Sequence, residues 1–411
     1  MIGHGALNSG KKVRIAIVHD YLMQAGGAER VVEAMHQIWP DAPIYTSVYD
    51  PATLPAFQTM DVRTSVLQRW VGKPHFHKLA LPFYPVAFEQ FDLSGYDVVL
   101  SSTTGFAKGV ITGPETCHIC YCHTPARFAW RSHEYLAQGN YGRTTRRALA
   151  LVLHGLRAWD YASAQRVDYF VANSANTARR IRKFYSRDSE VIQAPVDCKR
   201  FCPSGSAPEN YFVIISRLVG YKRIGLAVEA FNRLKLPLWI VGSGPELSHL
   251  RSLAGPTIRF LGQRSDAEVA NLLAGCRALI FPGEEDFGIT PLEAMASGRP
   301  VVAYAGGGAL ETVIDGQTGV FFHSPTPEAL MGAVSCLTNG SFETSVLQSR
   351  AAQFDVPEFQ RRLEQFVETR RRAHFHDYKG MGSVLPAVSV MERRESEPCT
   401  ELQTSDYEQG V

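Results

Sequence analysis

Ala278-Leu-Ile-Phe281 runs straight into Pro282-Gly-Glu-Glu-Asp-Phe-Gly-Ile-Thr-Pro-Leu-Glu-Ala-Met-Ala-Ser-Gly-Arg-Pro300. Four apolar residues bounded by Pro and Gly read as a buried strand. The Gly-, Pro- and acid-rich segment reads as a loop, and the stretch from about Pro291 as a helix. Strand, glycine loop and helix in that order form the repeating unit of a parallel sheet. Ligands of such sheets lie beyond the carboxyl ends of the strands. Glu285 falls in that loop and Glu293 on the helix, with seven residues between them. Gly288 would let backbone approach a ligand closely, and the helix-start amides favour negative charge there. Thr290-Pro-Leu-Glu293 also fits a capping box, with Thr290 as N-cap, Pro291 at N1 and Glu293 at N3. Glu293 therefore has a purely structural reading beside a functional one, whereas Glu285 has no such role in a loop.

The same unit recurs on both sides of this stretch. In the first half, strands are expected over 13–19, 96–101, 117–121 and 169–173. A helix carrying Val31, Val32, Met35 and Ile38 follows the Gly26-Gly27 loop, and a basic helix covers 175–185. The aperiodic Pro/Ser/Gly stretch at 193–208 reads as a linker. Strands then resume over 212–216, 238–241, 258–261, 278–281 and 301–303. Two such series predict an α/β protein of two doubly wound Rossmann-like domains facing across a cleft. The expected boundaries are 13–195 for the first domain, 196–208 for the linker and 209–352 for the second. Helices at 353–375 are expected to cross back to the first domain. The polar segments 1–12 and 376–411 read as disordered.

A length of 411 residues suits two domains. A net charge of +2 leaves no global field to attract nucleic acid, which is excluded as a partner. The eight cysteines, in a chain whose start lacks the basic and apolar regions of a secretory signal, are expected to stay reduced. No apolar run reaches the roughly 18 residues of a membrane span. The expected location is cytoplasmic, peripheral on the inner face of the plasma membrane.

Several ordered motifs together resemble glycosyltransferase family 4, the retaining group 1 enzymes of GT-B fold. They cover roughly residues 13–370. The two-glutamate segment carries Phe287-Gly288 inside it and Gly298-x-Pro300 after it. Ser216-Arg-Leu-Val-Gly-Tyr-Lys222 is similar to the family's Arg and Lys loop, and Val241-Gly-Ser-Gly-Pro245 to its next strand-loop. Gly306-Gly-Gly-x-x-Glu311 is similar to its later loop, and Gly26-Gly-Ala-Glu29 to its N-terminal glycine loop. His123-Thr-Pro-Ala-Arg127 looks like an element of bacterial polysaccharide mannosyltransferases.

The resemblance implies that the first domain serves the acceptor and the second binds a nucleotide sugar, with GDP-mannose favoured. Gly26, Gly27, Arg217, Lys222, Glu285, Phe287, Gly288, Ile289, Thr290 and Glu293 would then hold the donor. Glu285, Arg217, Lys222 and His123 would be catalytic. Charge logic agrees, because a departing diphosphate gains negative charge and fixed cations stabilise that state. Arg217 offers a fork of donors and Lys222 a point charge. The residues alone leave open whether Lys222 or Arg223 faces the phosphates; the resemblance favours Lys222. Glu285 is assigned to the donor sugar, Glu293 to ribose hydroxyls and His123 to the sugar, at its O6 or through the His123 carbonyl.

No cofactor is expected beyond the nucleotide-sugar co-substrate. No Asp-x-Asp occurs, so a metal-bridged diphosphate is not indicated. Cys117-x-x-Cys120-x-Cys122-His123 invites a zinc reading, but strand alternation would send neighbouring side chains to opposite faces. The acceptor is expected to be a glycan or lipid-linked saccharide. Residues 63–91 interleave Arg63, Arg69, Lys73 and Lys78 with Trp70, Phe76, Phe83, Tyr84, Phe88 and Phe91, which suits an anionic membrane surface. Competing readings are a UDP-hexose donor, a nucleotide-sugar epimerase on the same plan, and a non-catalytic binding protein. A dehydrogenase lacks support, because no Gly-x-Gly-x-x-Gly follows the first strand.

Overall fold

The computed structural model describes residues 12–70, 80–131 and 142–382. Strands β1 Ile15–His19, β2 Ile44–Thr46, β3 Val62–Thr64, β4 Val98–Thr103, β5 Cys117–Cys122, β6 Tyr169–Ala172 and β7 Ser189–Val191 form one sheet, in the order β3-β2-β1-β4-β5-β6-β7. Strands β8 Phe212–Ile215, β9 Leu238–Val241, β10 Ile258–Gly262, β11 Ala278–Phe281, β12 Val301–Tyr304 and β13 Gly319–Phe322 form the other, in the order β10-β9-β8-β11-β12-β13. All these ladders are parallel. The apolar runs of β1, β4, β5 and β11 are buried throughout, as strands covered on both faces must be.

Strand order reverses between β1 and β4 in the first sheet and between β8 and β11 in the second. These switch points are where a doubly wound sheet opens a crevice. The loops that leave β1, β4, β8 and β11 are therefore the ones placed to build a site.

Helix α1, Gly27–Ile38, follows the glycine loop after β1. Helix α2, Arg143–Gln165, and helix α3, Ala175–Tyr185, flank β6. Ser174 caps α3 by accepting from the Thr177 amide at 3.0 Å. In the second domain, α4 spans Ile224–Leu234, α5 Asp266–Gly275 and α6 Ile289–Ala296. Two expectations about α6 fail. It starts at Ile289 after Gly288, whose φ of +83° favours glycine, and no side chain caps it. Thr290 therefore lies inside the helix, where it cannot act as N-cap, and the capping box does not form; Glu293 pairs instead with Arg30 of the first domain.

Helix α7, Val356–Gly382, crosses back onto the first domain, as expected. Phe359, Leu363 and Val367 enter the core. The Phe359 ring packs edge-on to Tyr121 at 5.8 Å. Gln360 donates to the Ala34 carbonyl at 3.1 Å, and Arg362 to that of Val191 at 2.7 Å. The helix runs past 376, where an irregular tail was expected. Glu368 pairs with Arg371 and Arg372 at helical spacing, which supports this last stretch. The expected disordered ends, at 1–11 and 383–411, lie outside the described residues.

Among the aromatic residues expected at a membrane, Tyr84 and Phe88 are core, and Tyr84 stacks on Phe106 at 4.8 Å. Lys73, Phe76 and Lys78 lie outside the described residues. Below this cluster, Lys108 is fully buried and paired with Asp160. Trp130 at 2.6 Å and Tyr185 at 2.9 Å also donate to Asp160. Removing one partner strands a charge in the interior. Lys108→Met is expected to cost about 3–5 kcal/mol of unfolding free energy, measured by urea titration.

Candidate functional site

The site is built from the four switch-point loops and from the segment after β5, which carries His123 and Arg127. On the second domain, the loop after β8 carries Arg217, Tyr221 and Lys222, and the loop after β11 carries Glu284, Glu285 and Asp286. Lys222 forms an ion pair with Glu285. Arg217 donates to the Tyr221 hydroxyl at 3.4 Å. Burial would raise the Tyr221 phenol, but Lys222, Arg127 and Arg217 around it bring it below its ordinary value. The structure thus gathers three of the expected residues, Arg217, Lys222 and Glu285, into one charged patch. Arg223 instead turns its guanidinium over the Tyr304 ring at 4.6 Å, leaving Lys222 as the lysine of the patch.

On the first domain, a buried polar chain runs beneath the cleft. Glu29 Oε1 lies 3.9 Å from His19 Nε2. His19 Nδ1 donates to the Ser102 carbonyl at 3.1 Å, and the Ser102 hydroxyl meets His123 Nε2 at 2.8 Å. Burial, aided by His19, pushes His123 down to about 3, so its imidazole is neutral. The neighbouring Asp20 carboxylate accepts from the backbone amides of Phe106 at 2.8 Å and Ala107 at 2.6 Å and from the Thr104 hydroxyl at 2.8 Å, fixing the loop after β4. Tyr21 beside it is raised to about 12 by burial and by Asp20 and Glu29, and Arg217 acts on it from the opposite domain.

The two domains meet through charge. Asp286, 7% exposed, lies between Arg127 and Arg180 of the first domain and pairs with both. Arg127 also lies over the Tyr221 ring at 4.9 Å. The first turn of α3 is a junction. Ser174 donates to the Asp286 carbonyl at 2.8 Å, Thr177 to the His123 carbonyl at 3.2 Å, and Glu311 accepts from the Ala175 and Asn176 amides at 2.8 and 3.0 Å. Across the seam, a Cβ on Gly27 would come within 2.8 Å of Ile289, so the glycine lets α1 and α6 approach.

Glu293 is buried and pairs with Arg30, which also bonds Asp266 at 2.9 Å. Burial raises the Glu293 carboxyl and Arg30 draws it back. Phe287 is 3% exposed and packs on Phe354 at 6.0 Å, so its ring supports the loop from the core. Asp20, Arg30, Arg180 and Asp286 were not foreseen. Asp286 sits between two residues that were, but its partners come from a distant part of the chain. The three strand cysteines do not converge: Cys117 faces one core with Ile119 and Tyr121, whereas Cys120 and Cys122 face another.

Comparison with known proteins agrees with this geometry. Residues 25–200 match the family model described as Glycosyltransferase Family 4, and residues 203–353 that of Glycosyl transferases group 1. The chain is 30% identical over 173 residues to the alpha-1,3/1,6-mannosyltransferase ALG2 of Dictyostelium discoideum, covering 35% of this chain and 41% of that protein. It is 27% identical over 246 residues to the D-inositol 3-phosphate glycosyltransferase of a Nocardioides species, covering 50% and 54%. The chain thus spans about half the length of these curated relatives. Among solved structures, Anabaena Alr3699/HepE in complex with UDP superposes with a TM-score of 0.65 at 19% identity, covering 87% of this chain and all of that one.

Two outcomes follow from the buried charges. Asp286→Ala leaves Arg127 and Arg180 without their shared acceptor. It is expected to loosen the interdomain contact, seen as a larger radius of gyration in small-angle scattering. His118 and His123 are each held down to about 3 by burial, against an unfolded value of 6.5. Between these values the unfolded chain binds more protons. Their contribution is therefore complete above about pH 6.5 and falls as pH drops, by roughly 3 kcal/mol per unit for the pair. Urea unfolding at pH 7 and pH 5 measures it.

Proposed function

We propose a function for a chain that belongs to the group 1 and family 4 glycosyltransferases and has their GT-B fold: retaining transfer of a hexose, with GDP-mannose as favoured donor, to a glycan or lipid-linked saccharide in polysaccharide synthesis. The observation that carries this reading is the convergence of Arg217, Lys222 and Glu285 at the switch point of the second sheet. Across the cleft, Arg217 acts on Tyr21 of the first domain, and Arg127, four residues after His123, lies over the Tyr221 ring.

In this reading the diphosphate displaces Glu285 from Lys222 and lies between Lys222, Arg217 and the glycine loop. The freed Glu285 turns to the donor sugar. As the bond from C1 to the leaving phosphate oxygen breaks, that oxygen gains charge that the two cations stabilise. The acceptor oxygen bonds to C1 on the same face, and its proton passes to the leaving phosphate oxygen. No protein nucleophile or bound metal enters the route. Neutral His123 contacts the sugar, and Glu293 takes the ribose hydroxyls when Arg30 yields it.

Mannose is favoured by the His123-Thr-Pro-Ala-Arg127 element and by similarity to a mannosyltransferase. A UDP-hexose is the second reading, because a structural neighbour is a UDP complex. Peripheral attachment to an anionic membrane is supported by exposed Val66, Trp70, Phe83 and Val86 and by exposed Arg143, Arg146 and Arg147 on α2. No helix among the described residues is long and apolar enough to cross a membrane.

A panel of nucleotide sugars tested by thermal shift identifies the donor, and GDP-mannose is expected to raise Tm most. No shift with GDP- or UDP-sugars would sink the proposal. Glu285→Gln is expected to lower kcat by about 2–4 kcal/mol in barrier terms with the fold intact. Arg217→Ala is expected to weaken GDP binding in calorimetry; equal affinity removes Arg217 from the diphosphate site. Flotation with anionic but not neutral vesicles at low salt tests membrane attachment.

A further inference from the structure

Three side chains with metal-ligand chemistry meet on the face of the first domain opposite the cleft. Cys117 opens β5, Asp168 directly precedes β6, and His374 lies near the end of the described side chains of α7. A ligand atom of each lies within 4.8 Å of the other two. The fold brings them together. β5 and β6 are parallel neighbours, with Ile119 opposite Tyr169, so Cys117 and Asp168 share the amino ends of the two strands. The crossing of α7 then carries His374 to the same edge.

The imidazole is oriented for ligation. His374 Nε2 lies 3.1 Å from the Pro114 carbonyl, which can only accept, so Nε2 carries the proton. In the neutral ring Nδ1 is then a lone pair, and it faces Asp168 Oδ2 at 4.0 Å. Two electron-pair donors at this separation leave room for a shared cation, or for the Nδ1 proton of a charged ring. The carboxylate is also held in place, because Asp168 Oδ2 accepts from the His118 amide at 2.7 Å. A histidine that donates its other N–H to a backbone carbonyl is the usual outer-shell arrangement of a metal ligand. Cys117 adds a buried sulfur; burial and Asp168 raise its thiol to about 12, and Arg371 nearby acts in the opposite sense.

We propose that Cys117, Asp168 and His374 bind a divalent transition-metal ion of the zinc type, with water as fourth ligand, and so fasten α7 to the first sheet. A mixed sulfur, nitrogen and oxygen set suits zinc. Binding releases the Cys117 proton to solvent and leaves a thiolate on the ion. The side chains of Asp168 and His374 are 34% and 17% exposed, which leaves access for the ion and for water. The site lies at the amino ends of the strands, away from the cleft, so its role is structural and independent of the proposed transfer reaction.

The test uses the full chain, stripped with a chelator and titrated with Co²⁺, then Zn²⁺. One Co²⁺ per chain is expected, with a thiolate-to-cobalt charge-transfer band that Zn²⁺ abolishes, and with a rise in Tm. Cys117→Ser and His374→Gln should each lose the stoichiometric binding and the Tm rise. The His374 position is partly exposed, so its variant keeps the test available if the core cysteine variant does not fold. Cys336→Ser, at an exposed thiol elsewhere, should leave both unchanged. Absence of one-to-one binding, a charge-transfer band that survives Cys117→Ser, binding unaffected by His374→Gln, or loss of the band in Cys336→Ser would each overturn the proposal. None of these readouts depends on enzymatic turnover.

Discussion

A cleft lined from two domains holds its groups in register only if the domains keep a fixed relation, and here the Asp286 carboxylate carries that relation. It projects from the second domain and takes Arg127 and Arg180 of the first. Its backbone carbonyl takes Ser174 as well. The residue before it is Glu285, so whatever fixes Asp286 also fixes the acid nearest the cations. Buried ion pairs contribute little net stability once desolvation is counted. Their value here is geometric, because two arginines on different elements can converge on one carboxylate in few ways.

The first turn of α3 extends this constraint to the other side of the site. Within four residues it touches the carbonyls of Asp286 and His123 and the carboxylate of Glu311. His123 is in turn the end of the buried chain from Glu29 through His19 and Ser102. A shift of α3 would therefore move the neutral imidazole and the acidic loop together. Arg30 and Glu293 add a second tie across the seam, close to the glycine at which α1 and α6 nearly touch.

Much of this was legible in the sequence because its signals are local. The apolar runs at 212–216, 238–241 and 278–281 are bounded by Gly, Pro or charged residues, and each became a strand of nearly the expected extent. The grouping of Arg217, Lys222 and Glu285 followed from their places just past strand ends and from the family resemblance, whereas the strand order that makes those loops switch points came from the structure. What escaped reading depends on distant partners. Nothing local tells that Asp286 meets Arg127 and Arg180, or that the helix starts at Ile289 and leaves Glu293 to pair with Arg30. The packing of the Phe287 ring escaped for a similar reason: Phe354, from the segment before α7, meets it. Likewise Tyr84 and Phe88 read as surface aromatics until Phe106 and the core around it covered them.

The crossing of α7 has a bearing on how the chain is made. Tyr121, on a central strand of the first sheet, is roofed by Phe359, and α1 by Gln360. A ribosome delivers the first sheet long before it delivers that roof. The early domain must therefore wait with an apolar seam open while the entire second domain is synthesised, an interval in which chaperone capture or premature association competes with completion.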